Sequence, residues 1–82
     1  ALIQAGVREG LPREVARRLV VGTLAGTAVL LKDRSAHQVR DEVMTPGGTT
    51  AAAFVAMEKA GFVGAVYDGV NAATRRAREL GG

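Results

Sequence analysis

Residues 45–50, Thr-Pro-Gly-Gly-Thr-Thr, are the stretch of this chain whose residue types and spacing suit the holding of a small ligand. Gly47 and Gly48 carry no Cβ, so they open backbone conformations closed to other residues and let a ligand approach the main chain. Placed just before a helix, such a loop leaves several N–H groups pointing outwards, with the positive end of the helix dipole behind them. Thr45, Thr49 and Thr50 add hydroxyls that donate to or accept from the same ligand. The chemistry this implies is capture of an anion, either a carboxylate or a phosphate oxygen. The same residues also make a tight turn between antiparallel helices, with threonine as a helix N-cap. Both readings stand on the residues alone. The loop lacks the lysine of a P-loop and no strand precedes it, which argues against a nucleoside triphosphate.

Other chemistry is sparse. Without cysteine there is no disulfide, no thiolate catalysis and no Cys-ligated zinc. The single histidine, His37, argues against a His-based metal site, and no metal is expected.

The elements that must position the loop read as helices throughout. Ala1 to Arg8 forms a helix end stopped by Gly10. Pro12 suits a first helical turn and Glu14 its positive end, so a second helix is expected from there to about Arg34. Its first part is amphipathic, with Val15 and Leu19 on one face; from Leu19 to Leu31 it has no charged position. A helix apolar all round is buried all round. Gly22 and Gly26 lie on one of its faces and admit a close neighbour, either within the chain or across an interface; the shortness of the chain favours the interface. The run is too short to span a membrane, which needs about 20 residues.

Ser35 and Gln38 match a capping box, opening a short helix to Val43 or Met44, with His37 exposed in its first turn. After the glycines a helix runs from about Thr49 to Ala60, closed by Gly61 and Phe62. A last helix covers Phe62 to Leu80, with Phe62, Val66, Val70, Ala73, Ala77 and Leu80 in one stripe. No strand pattern and no internal repeat occurs.

At 82 residues the chain is one domain near the lower end of what folds alone. Hydrophobic residues make up 48% but aromatic ones only 4%, so the core must come from Ala, Val and Leu. A core of small side chains needs a partner surface to complete its burial. The net charge is +3, with arginines dispersed among acids; that dispersal, and the few aromatics, argue against a nucleic-acid partner. The chain opens without methionine and without a signal-peptide pattern, on what reads as the last turns of a helix, so a longer parent protein is expected.

Three blocks, Arg40–Thr50 (RDEVMTPGGTT), AMEKAGF and ATRRAREL, together with the earlier AGVREGLPREVARRL, resemble the C-terminal domain of pyrroline-5-carboxylate reductases. The resemblance covers nearly the whole chain, in the right order and spacing. It implies an all-α bundle of about five helices over residues 1–82, similar to the helical C-terminal domains of 6-phosphogluconate dehydrogenase-like enzymes and forming an intertwined homodimer, with assembly up to a decamer. It implies reduction of L-1-pyrroline-5-carboxylate to L-proline with NAD(P)H in the cytoplasm, the cofactor being bound by an N-terminal Rossmann domain absent here. No Gly-x-Gly-x-x-Gly occurs in this sequence. No membrane and no nucleic acid is implied.

Residue by residue, Thr45, Pro46, Gly47, Gly48, Thr49 and Thr50 match the family loop that binds the substrate carboxylate. The resemblance implies that N–H groups around Gly48, Thr49 and Thr50 receive it, with the Thr45 hydroxyl adding a bond. The resemblance also implies that the Thr50 hydroxyl approaches the ring nitrogen as the catalytic contact. Met44 and Thr45 stand where the family usually has small or hydroxylated residues before Pro-Gly-Gly. The alternative is a purely structural helical oligomerisation module with no ligand site, in which the glycine loop is a plain turn.

Overall fold

The structure, a computed structural model, describes residues 1–44 and 46–81. Five helices follow one another: α1 (Leu2–Arg8), α2 (Arg13–Leu30), α3 (Ala36–Val43), α4 (Thr49–Lys59) and α5 (Phe62–Gly81). No strand occurs among the described residues, so the all-α expectation with about five helices holds. By its internal contacts the chain divides into two units, Ala1–Glu42 and Val43–Gly82.

In the first unit α1 ends in a Schellman motif. The Leu11 N–H donates to the Gly6 carbonyl and the Gly10 N–H to the Val7 carbonyl, both at 3.0 Å, with Gly10 at φ +107°. This reverses the chain and lays α2 against α1. The contact is close: a Cβ on Gly6 would lie 3.2 Å from the Ala16 Cβ. Ala16, 1% exposed, is the buried hydrophobic residue of the described chain. The amphipathic face is therefore occupied differently from the reading above. Val15 is half-buried, but Leu19 is exposed, because α1 is only seven residues long and covers the first turn of α2 alone. Space around the missing Gly10 Cβ is empty, so the Gly10→Ala variant isolates the backbone effect. It is expected to lose about 1–3 kcal/mol, visible as a lower thermal midpoint.

Two boundaries of α2 differ from expectation. Pro12, with ψ 143°, is the N-cap rather than a residue of the first turn; its carbonyl accepts from the Ala16 N–H at 2.9 Å. The helix also ends at Leu30 rather than near Arg34. The Lys32 and Asp33 N–H groups bond back three residues, to Val29 and Leu30, which tightens the last turn and breaks the ladder. Ser35 then starts α3 by the expected capping box: Gln38 N–H to Ser35 Oγ at 3.1 Å, and Ser35 N–H to Gln38 Oε1 at 2.9 Å. An Arg34–Glu42 ion pair links the turn to the end of α3. Ser35→Ala is expected to cost about 1 kcal/mol and to speed amide exchange at Gln38.

In the second unit α4 and α5 form a hairpin across the two-residue turn Ala60–Gly61. The Gly61 N–H donates to the Glu58 carbonyl at 3.0 Å and closes α4, while the Gly61 carbonyl accepts from the Ala65 N–H at 2.9 Å and opens α5. No residue of α4 or α5 is buried. Phe62 is 55% and Val70 62% exposed.

The apolar segment of α2 is equally bare. Leu19, Val21, Leu24, Val29, Leu30 and Leu31 are all exposed, and nothing lies within 4 Å of a Cβ placed on Gly22 or Gly26. Packing within the described chain thus leaves the glycine face of α2 unused. Burying a Leu or Val fully is worth about 1.5–3 kcal/mol. With roughly half of that unrealised at six positions, about 5–9 kcal/mol is missing from α2 and its C-cap, comparable with the whole stability of a small domain. No described helix is long and apolar enough to cross a membrane.

Candidate functional site

The loop before α4 is built by backbone geometry. Proline followed by glycine is the residue order of a type II turn, and Gly47 has the positive φ, +73°, that its third position demands. Gly48 is then extended, φ −79° and ψ 171°, and forms the N-cap of α4. Its carbonyl accepts the first helical bond, from the Ala52 N–H at 3.1 Å.

The N–H groups of Thr49, Thr50 and Ala51 precede that bond. No described residue accepts from them, and no side chain caps the helix. Three adjacent donors therefore open α4 at the positive end of its dipole. Gly48 and Thr50 are half-buried, whereas Gly47 and Thr49 are exposed. Threonine does not act as the N-cap of α4 here; glycine holds that position and offers no hydroxyl to fill the cradle.

Of the sequence-derived site residues, Gly47, Gly48, Thr49 and Thr50 fall together on this turn and first helical turn. Thr45 lies outside the described residues. The Ala51 N–H is a donor that residue reading passed over. An alanine has no side-chain signal, and its role is visible only once Gly48 is fixed as the N-cap.

The acids just before the loop in sequence are already engaged. Asp41 lies 3.6 Å from the Arg40 guanidinium, and Glu42 is paired with Arg34. The other charged side chains form solvated faces, as at Arg17–Glu14 (3.9 Å) and Arg76–Glu79 (3.0 Å).

Comparison with known proteins adds independent findings. A family model described as pyrroline-5-carboxylate reductase dimerisation matches residues 1–80. The pyrroline-5-carboxylate reductase of Synechocystis sp. is 47% identical over 83 residues, covering 99% of this chain and 31% of that protein. The enzyme of the same name from Thermus thermophilus is 51% identical over 81 residues, covering 99% and 31%. Among solved structures, pyrroline carboxylate reductase of Plasmodium falciparum with NADP bound matches at TM-score 0.91 and 35% identity, over 99% of this chain and 32% of that one. The chain thus spans about a third of the length of these relatives.

Proposed function

The chain belongs to the pyrroline-5-carboxylate reductase dimerisation family, and from that premise we propose that it is the helical dimerisation and substrate-binding part of an enzyme that reduces L-1-pyrroline-5-carboxylate to L-proline. The observation that carries the substrate half of this reading is the row of N–H donors on Thr49, Thr50 and Ala51, which find no acceptor among the described residues, beneath the Pro46–Gly47–Gly48 turn. Those donors receive the substrate carboxylate, the Thr45 hydroxyl adding a further bond.

A carboxylate held there fixes one edge of a flat ring and so sets the pose of the whole molecule. The gain is catalysis by positioning. NAD(P)H, held by a Rossmann domain outside this chain, supplies the hydride. As hydride reaches the imine carbon, the C=N double bond becomes a single bond and the nitrogen ends as a protonated amine. The Thr50 hydroxyl lies one residue into α4 and hydrogen-bonds that nitrogen. A threonine hydroxyl is a poor acid, so Thr50 orients the ring and relays a proton; it is not the proton's ultimate source.

The assembly half of the reading rests on exposure. An uncovered α2, with its open glycine face, and an uncovered α4–α5 hairpin call for a second copy, giving an intertwined homodimer that builds further into a decamer. The reaction belongs to the cytoplasm on this reading, with no membrane or nucleic-acid partner.

The test is Thr50→Val in the enzyme that carries this chain with its cofactor domain. A hydrogen bond to a charged group is worth about 1.5–3 kcal/mol, so kcat/KM is expected to fall roughly 10- to 150-fold with the oligomer intact. The purely structural alternative expects no change in kcat/KM, and an unchanged value would exclude Thr50 from the reaction.

A further inference from the structure

We draw no further inference here: the strongest candidate, the apolar groove of the α4–α5 hairpin lined by Phe54, Met57, Phe62 and Val63, is a face that the second copy proposed above already covers, and nothing in the structure shows any other occupant.

Discussion

Tenfold dilution of this chain is expected to lower its unfolding free energy by about 1.4 kcal/mol per dimer, and to lower its melting midpoint at every further step. A monomer that folds alone has a midpoint independent of concentration. The expectation rests on Ala16 being the buried hydrophobic residue of the described chain and on α4 and α5 having none. A short helical hairpin without a buried side chain lacks the apolar burial that offsets the entropy of ordering its backbone, about 1–2 kcal/mol per residue. Helical structure should therefore disappear together with the dimer. Far-UV circular dichroism melts over two decades of concentration, paired with sedimentation at each, read this directly. A constant midpoint with a helical monomer at the lowest concentration would overturn the assembly reading.

Leu24→Glu is expected to abolish association outright. In the single chain Leu24 is 60% exposed, and a substitution on a free surface changes stability by about 0.5 kcal/mol or less. Glutamate is nearly as good a helix former as leucine, so the change in intrinsic helix propensity is small. At an interface the same change forfeits about 1.5–3 kcal/mol of burial and also places a carboxylate in an apolar setting, costing several kcal/mol more. Two-fold symmetry applies the loss twice. Leu24→Met, which keeps size and polarity, should assemble normally. Size-exclusion chromatography separates the outcomes, and a fully assembled Leu24→Glu variant would show that this face of α2 is not the contact.

What was legible in the sequence was local. The ends at Gly10 and Gly61 and the Ser35–Gln38 box involve residues within five positions of one another, and each appears with the expected hydrogen bonds. The turn before α4 was legible for the same reason: Gly47 takes the positive φ, and Gly48 then caps the helix without a side-chain bond. Part of what the sequence left unread depends on neighbours distant along the chain. Gly6 meets Ala16 because α1 folds back on α2, and no periodicity marks that choice over Leu19. The early stop of α2 reflects competition between two local preferences, the apolar run through Leu31 and the turn feeding Ser35, and the tighter three-residue bonds prevailed. The demand of the Leu19–Leu31 segment for burial was plain in its composition. Its surroundings were not, since the described residues do not supply them.

The bareness of the α4–α5 hairpin has a consequence inside a living cell. If a second copy is what covers it, this chain presents apolar surface until that copy arrives, the kind of surface that chaperones and proteases engage. Its lifetime then rises with the rate of its own production. A defective copy made alongside a sound one would capture it and spoil the pair, so damage in one gene would spread to the product of the other.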